Sequence, residues 1–112
     1  MAIGDVAQLK LMAKALNGTD TDNTITGAAT KVTTITSITL VNLSTTTART
    51  VTIAMYGHAA ANTLAVITLA ALATEILTGL DYILQAGEIM YLSQDTGTDV
   101  NAAVMGISEV VS

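Results

Sequence analysis

The sequence has no cysteine, no proline, no tryptophan and no phenylalanine among its 112 residues. Without cysteine, no disulfide can staple the fold and no thiol is available for catalysis or metal binding. Aromatic residues make up 3% of the chain, although hydrophobic residues make up 51%. A core must therefore be built from aliphatic side chains, which suit the thin space between two packed sheets.

Charge is also scarce, at 12% of residues, with four basic and nine acidic side chains and a formal net charge of −5. Four basic side chains are too few to neutralise a nucleic-acid backbone, so we expect no direct binding to nucleic acid. A surface poor in charge has little electrostatic protection against association. We therefore expect a homo-oligomer that buries its faces in an assembly, with a threonine-coated monomer as the alternative.

Long apolar runs are missing too. The most apolar window, Leu64 to Ala73, has ten residues and includes a threonine, whereas a membrane-spanning helix needs about 20. Met1 to Lys10 shows no basic region followed by a long apolar run. The chain is thus expected to carry no targeting segment and to have no membrane partner.

The sequence is rich instead in threonine and branched aliphatic residues, above all from Lys31 to Met55. Such side chains are stiff at χ1 and pack best on a pleated surface, so they favour strands over helices. Two runs in this stretch flank the polar segment Ser44 to Thr47, which predicts a β-hairpin. Nothing in the stretch offers acid–base, nucleophilic or metal chemistry.

Short strand patterns recur along the chain at spacings near ten residues, which predicts an all-β protein, either an antiparallel β-sandwich or a jelly roll of seven to eight short strands. The predicted strands are Leu9 to Leu16, Val32 to Leu43, Arg49 to Tyr56, Leu64 to Leu69, Thr74 to Leu80, Tyr82 to Leu84, Ile89 to Leu92 and Val100 to Val111, with a further short one possible at Thr24 to Thr26.

Two segments allow either a strand or a helix, and a third has the pattern of a turn. Leu9 to Leu16 alternates apolar residues with Lys10, Met12 and Lys14, but could make two helical turns; the turn signal Asn17-Gly18 that follows favours a strand. The alanines and leucines of Ala59 to Leu80 leave a helix as an alternative. Asp81 to Leu92 predicts a hairpin, with Gly87 in the turn.

The domain boundary is placed after Gln8. Met1 to Gln8 has no clear period and is interpreted as an N-terminal arm, and residues 9–112 as a single β-sandwich domain. Ile3 and Val6 are the apolar anchors of the arm and the candidate partner-binding residues. We expect the arm to become ordered against a neighbour in an assembly.

The strand ITSITLVNLS and the turn ILQAGEIM, within Lys10 to Val110, resemble small β-sandwich structural proteins of tailed bacteriophages, of the capsid decoration or cement type. The resemblance implies a non-enzymatic virion subunit, commonly a trimer, made in the host cytoplasm and located on the capsid surface rather than the tail. It implies the major capsid protein, or other virion subunits, as partners. A tail or baseplate domain that recognises a host glycan is the alternative.

Chemical motifs are sparse. His58 is the sole histidine and has no acidic residue nearby in sequence, so it is interpreted as a surface loop residue. Asp20 and Asp22 lack the glycine and distal glutamate of a calcium loop, and Asp95 and Asp99 fit turn positions. We expect no enzyme activity and no cofactor.

Glu75, Asp81 and Glu88 are scattered and make no obvious acid–base pair, although carboxylates distant in sequence can meet in space. Tyr56, Tyr82 and Tyr91 would form a glycan-contacting patch if they clustered. The favoured interpretation is that each tyrosine lies at a sheet edge with its hydroxyl in water.

Overall fold

A computed structural model describes residues 3–18, 23–55 and 63–111. All the regular secondary structure in these three ranges is β-strand, in agreement with the predicted all-β class. The strands are β1 (Val6–Ala15), β2 (Thr24–Thr26), β3 (Lys31–Asn42), β4 (Arg49–Met55), β5 (Thr63–Leu69), β6 (Thr74–Leu77), β7 (Tyr82–Leu84), β8 (Ile89–Gln94) and β9 (Val100–Val110).

The strands form two antiparallel sheets packed face to face. Sheet I has the order β1-β9-β3-β6, with β7 also paired to β3, and sheet II has the order β2-β8-β4-β5. β6 and β7 pair with successive parts of β3, so they occupy one edge position and each sheet has four positions. The strand order is that of an eight-position jelly roll, one of the two predicted alternatives.

Most connections cross from one sheet to the other. β3 lies in sheet I and β4 in sheet II, and β7 and β8 are divided in the same way. The hairpins predicted for Lys31 to Met55 and for Asp81 to Leu92 are therefore wrong. A polar turn is compatible with a connection between two sheets as well as with a hairpin within one sheet, because the chain reverses its direction tightly in both. β4 and β5 do pair with each other.

Aliphatic side chains fill the space between the sheets, as the composition predicts. The fully buried ones come from both layers and are led by Leu16, Ile35, Ile38, Leu40, Ile53, Leu84, Met90, Leu92, Val51, Val100 and Val104. β9 alternates cleanly, with every second residue from Val100 to Val110 buried. This period of two is the pattern of a strand with one face on the core.

Two bulges interrupt sheet I at the same level. Leu11 is an extra residue in β1, opposite the Val104–Met105 step of β9, and Thr36 is an extra residue in β3, opposite the Met105–Gly106 step. An extra residue in a strand reverses which side chains point to the core from that residue onward. Met12 is therefore buried, although its alternation with Lys10 and Lys14 predicted that it would lie on the polar face of β1.

Gly106 allows this double bulge. A Cβ atom on Gly106 would lie 2.6 Å from the carbonyl oxygen of Thr34 and 2.7 Å from Cδ1 of Leu11. The bulged neighbours therefore occupy the space that a side chain would need at this position.

The first strand begins at Val6, three residues before the predicted start. Val6, Ala7 and Gln8 pair with β9, and the amide of Gly4 donates to the carbonyl of Val110 at 2.7 Å. The end of the segment assigned to the arm thus continues β1. The helical alternative for Ala59 to Leu80 is not seen in its described part, where 63–69 and 74–77 are strands. Within the described residues, no helix has the length and apolarity to cross a membrane.

Candidate interaction surface

The outward side of sheet I is a broad surface that we call the sheet I face. It consists of the side chains in register with the odd-numbered residues of β9, which point away from the core. These residues are Val6, Gln8, Lys10, Ala13, Ala15, Val32, Thr34, Ser37, Thr39, Val41, Thr74, Ile76, Ile83, Asn101, Ala103, Met105, Ile107 and Glu109.

Large apolar side chains are exposed on this face. Met105 lies at its centre and is 42% exposed, while Ile76 and Ile83 at one edge are each more than half exposed. Val6, at the opposite edge, is 60% exposed. Exposed apolar side chains that share one face mark an interaction site more often than isolated ones do.

The face carries only two of the charged side chains among the described residues. Lys10 is level with Met105 on β1, and Glu109 lies near the end of β9. Their charges cancel, so the face is neutral although the chain carries a formal net charge of −5. Long-range repulsion between like-charged copies is weakest where the local charge is zero.

Two shallow hollows lie on either side of Met105. One, of about 320 Å³, is lined by small side chains that include Ala13, Ala15 and Ala103. The other, of about 470 Å³, lies between Met105 and Ile107 beside the bulges. Met105 is therefore a projection with a depression to each side.

The outward side of sheet II has a different character. Threonines from three strands dominate it, namely Thr24, Thr26, Thr50, Thr52 and Thr68. Val66, 62% exposed on the edge strand β5, is its most exposed large apolar residue among those described. Hydroxyl groups cover most of this surface, so it offers less apolar area than the sheet I face.

Ile3 and Val6, the predicted partner-binding residues, are placed at one end of sheet I. Val6 is in register with Glu109 and belongs to the sheet I face. Ile3 is 74% exposed and precedes the Gly4–Val110 hydrogen bond that attaches the chain to the end of β9. Both side chains are available to a partner, and their role in binding stays a prediction.

The described residues include only some of the sequence positions considered for metal or acid–base chemistry. His58, Tyr56, Asp20 and Asp22 lie outside the described residues. Within those residues, no group of three or more histidine, cysteine or acidic side chains is arranged to hold a metal ion.

Three of the described acidic residues, Glu88, Asp95 and Asp99, make hydrogen bonds within the chain. Glu88 accepts a hydrogen bond from the amide of Gln85 at 2.7 Å, and Asp95 accepts one from the amide of Thr96 at 2.8 Å. The predicted turn role therefore fits Asp95, whereas Asp99 makes an ion pair.

The two described tyrosines are not neighbours. Tyr82 pairs with Ile35 in sheet I and packs against the core, whereas Tyr91 lies on β8 in sheet II. Tyr82 and Tyr91 therefore do not form the cluster that a glycan-contacting patch would need, because their strands are in different sheets.

A buried asparagine joins the loops at one end of the sandwich, and the sequence analysis did not identify it. Asn42 is fully buried at the end of β3. Its Nδ2 donates to the carbonyl oxygens of Thr47, Leu69 and Ala70 at 2.9, 3.1 and 3.2 Å. Its Oδ1 accepts from the amide of Ser44 at 3.0 Å. These bonds connect the β3–β4 loop to the β5–β6 turn.

A second polar group stabilises the β8–β9 turn at the same end. Arg49 donates from Nε and Nη2 to Oδ2 of Asp99 at 2.9 and 2.7 Å, and also contacts the hydroxyl of Thr96. Buried Gln94 accepts from the amide of Val100 at 2.9 Å. An asparagine at a strand end and a distant Arg–Asp pair have no local signature, since the partners are far apart in sequence.

Comparison with known proteins gives no family assignment: no protein-family model matches the sequence, and no curated protein matches it significantly.

Proposed function

We propose that the chain is a non-enzymatic structural subunit of a bacteriophage virion, most specifically a capsid decoration protein that binds the shell and bridges neighbouring capsid subunits. The sheet I face is the observation that carries this proposal. It is neutral, spans four strand positions and exposes Met105, Ile76 and Ile83. Burial of apolar surface of this kind is the main favourable term in protein association.

The fold adds support at the level of architecture. Jelly rolls are frequent among viral capsid proteins, although the same architecture also serves lectins and enzymes. The resemblance of the ITSITLVNLS and ILQAGEIM segments to phage structural proteins is what favours the virion among these uses.

The N-terminal residues supply the second part of the proposed contact. Ile3 is highly exposed, yet the chain is attached to the end of β9 from Gly4 onward. Ile3 can therefore contact a capsid subunit while the sandwich stays intact. Full burial of Ile3 contributes about 1.5–3 kcal/mol, which is a modest share that repeated copies on a shell would multiply.

Co-sedimentation with shells assembled from the major capsid protein of the same phage tests the proposal. We expect the intact chain to pellet with the shells and Ile3→Asp to pellet less, because an aspartate loses the apolar contact and resists burial. Val66→Asp, a matched change on the outward side of sheet II, is the control. If the intact chain stays in the supernatant at every shell concentration, the decoration role is wrong.

A further inference from the structure

We propose that the sheet I face binds the same face of a second copy of this chain. The two copies are related by a two-fold axis that lies in the contact plane and crosses the strands between the levels of Ala103 and Met105. The inference deepens the proposed function, on which it rests for taking this face as an association surface. With the face covered by the second copy, exposed Ile3 at its end is the contact left for the shell.

The shape of the face is complementary to itself. In β9, Ala103 and Met105 are successive outward residues, so the axis places Met105 of each copy over Ala103 of the other. The Met105 side chain is 42% exposed, and the hollow of about 320 Å³ next to it is lined by four alanines together with Lys14, Thr39, Val41 and Asn101. A projection next to a hollow of small residues is what an isologous contact requires, because each copy presents both parts.

The charges on the face also permit this arrangement. Lys10 is level with Met105 on β1, so it lies over the level of Ala13 in the second copy, about 7 Å along the strand from the Lys10 of that copy. Both lysines are on the edge strand β1, so their ammonium groups can remain in water. Glu109 is exposed and lies beyond the levels at which the two faces overlap, so it stays in water. Neither charge is buried against another of the same sign, which would disfavour the contact strongly.

The area is sufficient for a specific dimer. β3 and β9 have 12 and 11 residues, and strands rise about 3.3 Å per residue, so the face is about 35 Å long and, at four positions, about 19 Å wide. The axis superimposes residues 100–108 of β9, a length of about 30 Å. The stacked faces therefore cover roughly 570 Å² per copy, or roughly 1,100 Å² in total, which exceeds the roughly 1,000 Å² expected of a biological interface.

The edges of sheet I are less suited to association than its face. Lys14 on β1 and Glu75 on β6 occupy the same level, in register with the inward residues Ala102 and Leu40. Inward-pointing charged residues on edge strands are a known obstacle to edge-to-edge pairing. The bulge at Leu11 further disrupts the β1 edge.

An isologous contact closes at two copies, so this geometry gives a dimer in place of the trimer that the resemblance implies. Sedimentation velocity across protein concentrations up to hundreds of micromolar measures the difference. We expect the intact chain to reach twice the mass of one chain. Met105→Lys should raise the dimer dissociation constant at least roughly a hundredfold, because its ammonium group would be buried without an acceptor. Ala103→Met, which fills the hollow, should weaken the dimer as well.

Val66→Lys is the matched control, since it introduces the same charge at an exposed apolar position of sheet II and should leave the dimer unchanged. Circular dichroism checks that each variant is folded. A monomeric or trimeric intact chain, or dissociation by Val66→Lys rather than Met105→Lys, would overturn the inference. Shell binding is measured separately: a monomer that binds shells contradicts the dimer alone, and a dimer that ignores shells contradicts the proposed function alone.

Discussion

At the scale of single residues, Gly106 and Asn42 show how the sandwich accommodates its irregular parts. Gly106 lies where bulges in both neighbouring strands come together. Asn42 is buried and donates to the carbonyl groups of Thr47 and Ala70 in two loops and of Leu69 at the end of β5. A buried carbonyl group without a hydrogen-bond partner lowers the free energy of unfolding. The Asn42 amide therefore stabilises both the β3–β4 loop and the β5–β6 turn.

Substitution of Gly106 tests this reading of the double bulge. Gly106→Ala should lower the free energy of unfolding by about 1–3 kcal/mol, because the added methyl group overpacks against the Thr34 backbone and Leu11. Urea denaturation monitored by circular dichroism measures the change. Gly18→Ala is the matched control, since a Cβ there would meet its nearest atoms at 3.5 and 3.7 Å, which are ordinary contacts. Equal stability of the two variants would contradict the account.

At the scale of elements, sequence reasoning located the strands but not their partners. The β-branched pattern of Lys31 to Met55 identified β3 and β4, because period two and branching are local properties. The polar loop between β3 and β4 can reverse the chain within one sheet or cross to the other sheet. Which of the two occurs depends on how β3 and β4 pack against strands that are distant in sequence. For the same reason the bulge at Leu11, which moves Met12 into the core, could not be foreseen from alternation.

Stepwise shortening of the N-terminus tests where β1 begins. Removal of residues 1–3 should leave the melting temperature unchanged, because the described hydrogen bonds to β9 begin at Gly4. Removal of residues 1–8 also deletes the pairing of Val6, Ala7 and Gln8 with β9. It should destabilise the fold by about 0.5–1.5 kcal/mol for each backbone bond lost. If both truncations melt at the temperature of the intact chain, residues 4–8 belong to a detached arm instead.

At the scale of the whole molecule, composition was the best guide. The scarcity of aromatic and charged residues predicted an aliphatic core between two sheets and weakly charged outer surfaces. The sheet I face, however, depends on pairings between residues up to about a hundred positions apart, such as Val6 with Glu109. No local pattern specifies which exposed apolar residues share a face. The candidate interface therefore became visible only in the structure.

The central claim is that this jelly roll is a subunit of a phage shell. Electron cryomicroscopy of intact particles of the phage that encodes the protein tests it most directly. The account predicts many copies distributed over the shell, each with residues 1–3 in contact with capsid subunits. A single ring of copies at the tail, or particles without the protein, would contradict it.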